Sequence, residues 1–556
     1  MYNNKAMTNL MINNHNRVLN INNDKTSQTC ANALTEALLD LGVDSVFGYP
    51  GAAVLSIYNE FSKIQNKIRH YLVRHEQAAV HAAEGYARVS GKPGIVLVTS
   101  GPGFTNTITG IANAYADSTP LVVLAGDVAL NDNKGKVFQK VDIISMTKTC
   151  CKKSFLVTSK DDIRQVIKEA YEIANSGQKG PVVVALPRNI LESKYVPKVT
   201  KDLHKKKNNI VSIFDCEKVL KLLKTAKSPL LLLGGGAIDA VEKVHQFVSE
   251  TQIPVISTLM GIGTYPSIED LYLGMIGING TYLANSALNN ADLVLAIGVS
   301  FSDRTTCKNL NFAQNTKIVS INIKKSSYNF ETEIISDAND FLEMLIENLS
   351  ETPDLKDWHE KINYLKEEVN ISKIDSSTLH SSSVLETIYE FTKSQEPIVV
   401  TDVGQHQMLT AQFFNFNKPK KFITSGGLGT MGFGLPASIG AQLANPESLV
   451  LNITGDGSFQ MNLQELATCR EHNIPVKIII LNNSYLGMVR QLQEKIYNNL
   501  YQVEMINPDF TKIAEAYDLF ALRVKKIDEL LPALKKAFEH KGTAIIDIII
   551  DRNEEV

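Results

Sequence analysis

The regular alternation of apolar runs with amphipathic segments most strongly limits how this chain can fold. From about residue 28, β-branched runs such as DSVFGY and GIVLVTS alternate with helical patterns such as EQAAVHAAEGYARV. Short apolar strands separated by helices are typical of βαβ units, which form parallel sheets covered by helices. The sequence therefore predicts an α/β protein with doubly wound parallel sheets.

Two polar stretches interrupt this alternation and leave three blocks. One is the basic stretch at 197–209, and the other is the serine-rich stretch at 372–383. A chain of 556 residues, 44% of them hydrophobic, is long enough for about three or four domains. We therefore expect a disordered N-terminal arm over 1–25, α/β domains over 26–196, 210–350 and 384–556, and a linker over 351–383.

The composition favours a soluble protein that binds a small molecule. The 56 basic and 59 acidic residues nearly balance, and no basic stripe with interleaved aromatic residues predicts nucleic-acid binding. No apolar stretch reaches the roughly 18 residues of a membrane helix, so no membrane partner is expected. The six cysteines lack metal-ligand spacing, which argues against a disulfide framework and favours the cytoplasm.

An acidic residue and a pair of asparagines end two successive strands of the third block. Asp456 follows SLVLNIT, and Asn482 and Asn483 end IPVKIIIL, with a helical segment between. A right-handed crossover often makes two such strands neighbours, so their ends meet at one edge of the sheet. A carboxylate and an amide oxygen suit Mg²⁺ that also binds phosphates, which Gly457 and Ser458 would help to hold. The alternative is an ordinary turn in which Asp456 only caps a helix.

These residues form the glycine-aspartate-glycine and paired-asparagine motif of thiamine diphosphate (ThDP) enzymes. Together with VFGYPGAAVLSIY, RHEQAAVHAAEGYAR and SGGLGTMGFGLPASIGAQLA, in this order, the chain from 28 to 550 resembles the catalytic large subunits of the acetohydroxyacid synthase (acetolactate synthase) family. The resemblance implies a pyrimidine-binding, a central FAD-type and a diphosphate-binding domain. It implies ThDP and Mg²⁺ as cofactors, and a reaction that decarboxylates pyruvate and joins the product to a second 2-keto acid, giving 2-acetolactate and CO₂.

The resemblance also assigns roles by position in the matching motifs. Glu76 in RHEQ would hydrogen-bond the aminopyrimidine ring and relay a proton, and Arg304 in SFSDR would receive the acceptor carboxylate. Gln139, at the substrate entrance, is grouped with these catalytic residues. Without the resemblance, Glu76 is only a carboxylate at a helix start and Arg304 only a surface arginine.

The remaining roles concern the cofactor and the substrate pocket. The Mg²⁺ ligands would be Asp456, Asn483 and the carbonyl of Tyr485. Met431 would be the apolar prop under ThDP. The other cofactor contacts would be Gly51, Gln405, His406, Gly429, Gly457, Ser458, Gly487 and Met488. The substrate pocket would be lined by Phe138, Met488 and Leu492.

Several positions depart from the family pattern. Leu492 stands where biosynthetic members carry tryptophan, so pyruvate is the expected acceptor rather than 2-ketobutyrate. Ala52 replaces a glycine near the thiazolium and Lys140 replaces a glutamate. Family members also continue into a tail beyond the last strand, and a missing tail would admit water and favour simple decarboxylation. GGGA at 234–237 and MIGINGT at 275–281 follow the family's FAD-contacting pattern, but Asn279, Ser300, Ser302 and Asn322 depart from it. The glycine run also suits a tight turn, so FAD is a possible cofactor that the sequence does not decide.

The resemblance implies an assembly with an active site between subunits. The domain that carries Glu76 would face the diphosphate domain of another copy, so a homodimer or dimer of dimers is expected, and a regulatory small subunit is a further candidate partner. Two other interpretations remain: another ThDP-dependent 2-keto acid decarboxylase or carboligase, and a weakly active or non-catalytic relative. Glu76 argues against the last, because cofactor binding alone does not need it.

Overall fold

The computed structural model contains three six-stranded sheets in which every recorded strand pair is parallel. It describes residues 28–131, 136–196, 211–306, 316–326, 328, 330, 332–369 and 379–556. The predicted N-terminal arm and the basic stretch at 197–209 lie outside these residues. The predicted fold class, three parallel-sheet α/β domains, is confirmed.

The first sheet has the strand order β2-β1-β3-β4-β6-β5. Its strands are β1 Ser45–Gly48, β2 Arg69–Leu72, β3 Gly94–Val98, β4 Leu121–Asp127, β5 Lys153–Leu156 and β6 Pro181–Pro187. Its α-helices are Cys30–Asp40, Leu55–Phe61, Glu76–Ser90, Pro102–Thr105, Ile108–Ala116, Ile143–Thr147, Ile163–Asn175 and Arg188–Leu191.

The central sheet has the order β12-β11-β10-β7-β8-β9. Its strands are β7 Pro229–Leu233, β8 Val255–Ser257, β9 Tyr272–Met275, β10 Leu293–Ile297, β11 Lys317–Asn322 and β12 Thr332–Ile335. Its α-helices are Ile213–Thr225, Val241–Thr251, Tyr282–Asn290, Asp303–Thr306, Ala338–Glu347 and Lys356–Val369. The last of these lies within the predicted linker, but Trp358 and Ile362 are buried in the central core.

The third sheet, β14-β13-β15-β16-β18-β17, repeats the strand order of the first. Its strands are β13 Ile398–Thr401, β14 Phe422–Ile423, β15 Val450–Gly455, β16 Lys477–Asn482, β17 Phe520–Val524 and β18 Ala544–Ile549. Its α-helices are Ser381–Thr392, Gln405–Phe413, Gly434–Ala444, Asp456–Asn462, Leu466–His472, Gly487–Tyr497, Phe510–Ala516 and Ile527–Glu539.

Helices cover both faces of the first and third sheets. In β3, the side chains of Ile95 and Leu97 lie in one core, and Val96 and Val98 lie in the core on the opposite face. Inner strands such as β3, β6 and β16 are thus buried on both sides, which explains their continuous apolar sequence. No helix of the described residues combines the length and apolarity that crossing a membrane requires.

The first and third domains are joined by two helices that pack backbone to backbone. A Cβ atom on Gly85 would lie 1.9 Å from the carbonyl oxygen of Ala437, and one on Gly440 would lie 1.7 Å from that of Ala82. Only glycine therefore permits helices Glu76–Ser90 and Gly434–Ala444 to approach this closely. The contact fixes the first turn of the helix that carries Glu76 relative to the third domain.

Candidate active site

The carboxyl ends of β15 and β16 bring Asp456 next to the asparagine pair. Gly455 pairs with Leu481 in the ladder, so the residues that follow meet at one edge of the sheet. The Asp456 carboxylate accepts hydrogen bonds from the Ser484 amide at 2.9 Å and from the Asn507 side chain at 2.5 Å. Burial raises the pKa of Asp456 to about 6. The site thus contains a desolvated carboxylate that a cation would stabilise.

The two neighbouring asparagines have different partners. Asn482 is buried, donates to Asp547 at 2.9 Å and accepts from Asn507 at 3.0 Å. Asn483 instead donates to the Gln405 side-chain oxygen at 3.2 Å, and its own oxygen accepts from the Tyr485 amide at 3.0 Å. An amide oxygen has two lone pairs, so Asn483 retains one for a cation.

Helix Gln405–Phe413 begins at the same edge and supplies an amide and an imidazole. Gln405 donates to the side chain of Gln491 and to the carbonyl of Glu554, both at 2.9 Å. A Cβ at Gly487 would lie 1.8 Å from the Gln405 side-chain oxygen, so a larger residue there would displace the Gln405 amide. His406 is buried, burial lowers its pKa to about 3, and its Nε2 has no hydrogen-bond partner. An unpartnered buried nitrogen is a natural contact for a ligand.

These groups fit a Mg²⁺-diphosphate. Hard oxygen ligands come from Asp456 and Asn483, and a neutral imidazole with a free nitrogen can bind a phosphate oxygen. Among the described residues, no cluster of three or more His, Cys, Asp or Glu side chains could hold a metal alone. A cation at this edge would therefore take further ligands from a bound molecule, as Mg²⁺ commonly does.

Two further predicted cofactor contacts, Gly457 and Ser458, lie at the start of the helix that follows β15. The Ser458 hydroxyl donates to the Val403 carbonyl at 2.9 Å. At Gly457 a Cβ would lie 3.1 Å from Leu486 and 3.2 Å from the Met505 sulfur, so the backbone is closely covered. Both residues belong to helix Asp456–Asn462.

The loop between β14 and helix Gly434–Ala444 carries Gly429, with φ +72°, and the partly buried Met431. Asp402 fixes its end by accepting from the Gly432 and Gly434 amides at 2.8 and 2.9 Å. Arg304 of the central domain donates to the Gly426 carbonyl at 3.1 Å. The guanidinium also donates to Gln407 at 3.0 Å, and burial lowers its pKa. The structure thus brings Arg304 to the loop that contains Met431.

Glu76 occupies a separate edge, in the first domain. It starts helix Glu76–Ser90 and accepts from the Asn106 side chain at 2.9 Å. A Cβ at Gly103 would lie 3.4 Å from the Glu76 carboxylate, and one at Gly51 would overlap the Thr99 side chain. Gly51 and Glu76 therefore flank the same strand ends. Ala52, beside Gly51, is exposed at the start of a short 3₁₀ turn.

The predicted substrate-pocket residues lie on two domains. In the first domain, Gln139 has φ +59° and packs against Gly101, where a Cβ would lie 2.8 Å from the Gln139 Cβ. Phe138 is 84% exposed. In the third, Leu492 is 54% exposed and Met488 is partly buried on helix Gly487–Tyr497. Tyr485 precedes this helix, with Arg552 stacked 4.6 Å from its ring. Phe138 and Leu492 are therefore exposed enough to contact a bound substrate.

In the central domain, the glycine run is explained by close backbone packing. A Cβ at Gly234 would lie 2.2 Å from the Gly298 carbonyl oxygen, and one at Gly236 would lie 2.8 Å from Gly298 Cα. Two strand-end loops thus meet without side chains between them. Asn322 donates to the Val299 carbonyl at 2.9 Å in the same region. Backbone packing therefore explains Gly234 and Gly236 without reference to a bound flavin.

Sequence reasoning missed the residues that orient the predicted ligands. Asn507 bonds both Asp456 and Asn482, Gln491 and Glu554 hold Gln405, and Asn106 holds Glu76. These residues lie on loops or on helix faces that carry no apolar period. The asparagine-proline pair at 507 and 508 marks a turn, but it does not indicate which strand end the turn approaches.

Comparisons with known proteins agree with this architecture. Residues 28–146 match the thiamine pyrophosphate enzyme N-terminal TPP binding domain, 216–345 the central domain, and 402–548 the C-terminal TPP binding domain. The fold and site thus define a thiamine pyrophosphate enzyme.

Similar proteins identify the family to which the chain belongs within the thiamine pyrophosphate enzymes. The chain is 42% identical over 546 residues to the acetolactate synthase large subunit of Haemophilus influenzae, and 41% identical over 552 residues to the isozyme 3 large subunit of Escherichia coli, with 95% of each chain covered. Chloroplastic acetolactate synthase of Arabidopsis thaliana is 39% identical over 561 residues, covering 95% of this chain and 82% of the relative. The chain therefore belongs to the acetolactate synthase large-subunit family of thiamine pyrophosphate enzymes.

Proposed function

We propose that this protein catalyses the condensation of two pyruvate molecules to 2-acetolactate with release of CO₂. The observation that carries the proposal is the similarity to acetolactate synthase large subunits along 95% of both chains. The cluster of Asp456, Asn483 and His406 supports it, because these groups suit Mg²⁺ and a diphosphate.

In this proposal the third domain binds the charged end of the cofactor. Asp456, Asn483 and the Tyr485 carbonyl bind Mg²⁺. The phosphates contact Gln405, His406, Gly457 and Ser458, and the cofactor is further enclosed by Gly51, Gly429, Met431, Gly487 and Met488. The unpartnered Nε2 of His406 supports the assignment. When bound, ThDP supplies the electron sink for decarboxylation.

The protein's own groups move the proton and orient the acceptor. Glu76, held by Asn106, relays a proton to and from the aminopyrimidine. Arg304 binds the acceptor carboxylate with the N–H groups that its bonds to Gly426, Gln407 and the Met408 sulfur leave free. Gln139 and Phe138 form one side of the entrance, and Leu492 leaves room where tryptophan would favour 2-ketobutyrate.

The proposal extends to the assembly. Glu76 bonds a residue of its own domain and Asp456 bonds residues of the third, so we propose that two copies bring these edges together in a homodimer or dimer of dimers. A small regulatory subunit is proposed because the relatives are named large subunits. A cytoplasmic location is proposed from the free cysteines of the described chain.

The test is product formation by the purified protein from pyruvate, with ThDP and Mg²⁺, with and without FAD. We expect 2-acetolactate from the wild type and its near-complete loss in Glu76→Gln. Acetaldehyde as the main product would instead identify a decarboxylase. If the protein forms neither 2-acetolactate nor acetaldehyde, that result would contradict the proposal and favour a non-catalytic relative. The FAD arm measures whether this chain needs a flavin.

A further inference from the structure

Two buried carboxylates hold loops of the opposite domain by the same pattern of hydrogen bonds. Glu465 of the third domain accepts from the backbone amides of Arg74 at 2.9 Å and His75 at 3.1 Å. Asp117 of the first domain accepts from the amides of Gly426 at 3.0 Å and Gly427 at 2.6 Å. In each case one carboxylate binds two consecutive amides.

The two contacts are related by the repeated fold. Asp117 lies between β3 and β4, and Glu465 lies between β15 and β16, which occupy the same positions in the first and third sheets. The bound loops also correspond, because one joins β2 to helix Glu76–Ser90 and the other joins β14 to helix Gly434–Ala444. Each domain thus gives the other the same contact.

Both loops carry residues of the candidate site. His75 directly precedes Glu76, and Gly427 lies shortly before Gly429 and Met431. The hydrogen bonds fix the amides of residues 74 and 75, next to Glu76, and those of residues 426 and 427, in the loop that continues to Gly429 and Met431. A shift of either carboxylate would therefore move the backbone that leads to these residues.

Both carboxylates are themselves fixed. The Glu465 side chain is fully buried and accepts from the Thr468 hydroxyl at 2.6 Å. The Asp117 side chain is 1% exposed and accepts from Arg88 at 2.8 Å. Charge-assisted bonds to immobile acceptors are strong and directional.

We propose that Glu465 and Asp117 are paired positioning residues, each of which holds the loop of the opposite domain that presents Glu76 or Met431 to the cofactor. The inference rests on the proposed function through the roles of those two residues. The contact between the domains would then influence catalysis, because the bonds from Glu465 to the Arg74 and His75 amides determine the position of Glu76.

The first experiment measures the hydrogen bonds themselves by amide hydrogen exchange in the cofactor-free full chain. In Glu465→Gln, the side-chain NH₂ would face the Arg74 amide or the Thr468 hydroxyl, and the charge is lost. We expect exchange in the segment containing Arg74 and His75 to become about tenfold faster. The matched control is Glu471→Gln, which removes only the ion pair with the Arg74 side chain at 2.6 Å. Unchanged exchange in Glu465→Gln would overturn the proposal.

The second experiment separates positioning from simple stability. With saturating ThDP and Mg²⁺, we expect the exchange rate of the thiazolium C2 proton, followed by NMR, to fall about tenfold or more in Glu465→Gln. KM for ThDP should change far less than this rate, and Glu471→Gln should match the wild type. Faster amide exchange with unchanged C2 exchange would make the contact structural only and overturn the positioning role.

Two further variants keep the test decisive. If Glu465→Gln does not fold, Thr468→Val can replace it, because this variant removes the hydroxyl that bonds one oxygen of Glu465. We expect faster amide exchange at Arg74 and His75 and slower exchange of the thiazolium C2 proton, each by a smaller factor than in Glu465→Gln. Asp117→Asn should accelerate amide exchange around Gly426 and Gly427, and unchanged exchange there would overturn the pairing. If Glu76→Gln itself exchanges the C2 proton like the wild type, the proton-relay proposal fails, whereas the amide measurement still tests the two contacts.

Discussion

At the scale of single residues, Asp456, Asn482 and Asn483 lie together at the carboxyl ends of β15 and β16, where Asn507 bonds both Asp456 and Asn482. Asp456 and the asparagine pair were expected to converge because successive parallel strands end at one edge of a sheet, and the structure brings them together. The sequence did not reveal that Asn482 binds Asp547 while Asn483 binds Gln405. That difference depends on side-chain directions at the end of β16.

The raised pKa of Asp456 makes the stability of the cofactor-free protein depend on pH. The native pKa of about 6 lies above the unfolded value of 3.8, so ionised Asp456 destabilises the fold. The cost is absent below about pH 4, grows until about pH 6 and is then constant, at about 1 to 3 kcal/mol.

Asp456→Asn, which resembles the neutral acid, should therefore unfold at higher denaturant concentration than the wild type above pH 6 and at an equal concentration near pH 4. Denaturation of both cofactor-free proteins across this range measures the difference. A difference that does not change with pH would contradict the origin given for the pKa shift. Mg²⁺ and ThDP should stabilise only the wild type.

Leu492 offers a test of acceptor preference. The side chain is 54% exposed on helix Gly487–Tyr497, and tryptophan there would add apolar surface for the extra methylene of 2-ketobutyrate. In Leu492→Trp, competition between equal amounts of pyruvate and 2-ketobutyrate should shift the product ratio towards 2-acetohydroxybutyrate by about tenfold. Leu500→Trp, on an exposed residue beyond that helix, is the control. Equal shifts in both variants would remove the role given to Leu492.

At the scale of elements, two helices determine how the first and third domains meet. The apolar period predicted the first of these helices, but the glycines within both carried no information about which helix they would contact. Gly85 and Gly440 permit carbonyl-to-backbone contact across this interface. The same contact brings Glu465 to Arg74 and Asp117 to Gly426. Loop carboxylates of this kind have no periodic signal, so sequence alone could not identify them.

A methyl group at this interface should be costly. In Gly440→Ala, the new Cβ would lie 1.7 Å from the Ala82 carbonyl oxygen, so the helices must separate, and we expect destabilisation of about 1 to 3 kcal/mol or more. Gly42→Ala is the control, because Gly42 has φ +70° but no atom within 4 Å of a Cβ. It should cost only the backbone strain, about 1 kcal/mol. Thermal unfolding of both variants makes the comparison, and equal losses would contradict the packing argument.

At the scale of the whole molecule, the chain repeats one sheet topology around a central domain of different strand order. Periodicity predicted three parallel-sheet domains, since inner strands such as β3, β7, β10 and β16 are short apolar runs buried on both faces. The order of strands could not be predicted, because the crossover rule fixes handedness and not which strands pair. The sequence also did not predict that the helix within the expected linker packs on the central domain. This is shown by the burial of Leu355, Trp358 and Ile362 in the central core.

The residues of the candidate site lie on two different domains. Glu76 with Asn106 belongs to the first domain, and Asp456 with Asn507 belongs to the third. In the proposed homodimer, each site would combine Glu76 of one copy with Asp456 of the other. A chain with a defect in one part should then be complemented by a chain with a defect in the other.

The most direct measurement mixes Glu76→Gln and Asp456→Ala chains, each inactive alone, after dissociation and reassociation. Half of the sites in a mixed dimer would combine intact Glu76 with intact Asp456. We predict that 2-acetolactate synthesis returns to roughly a quarter of the wild-type rate. The control is each variant alone, taken through the same dissociation and reassociation. No recovery from mixed dimers of confirmed composition would contradict a site shared between chains and the proposed mechanism with it.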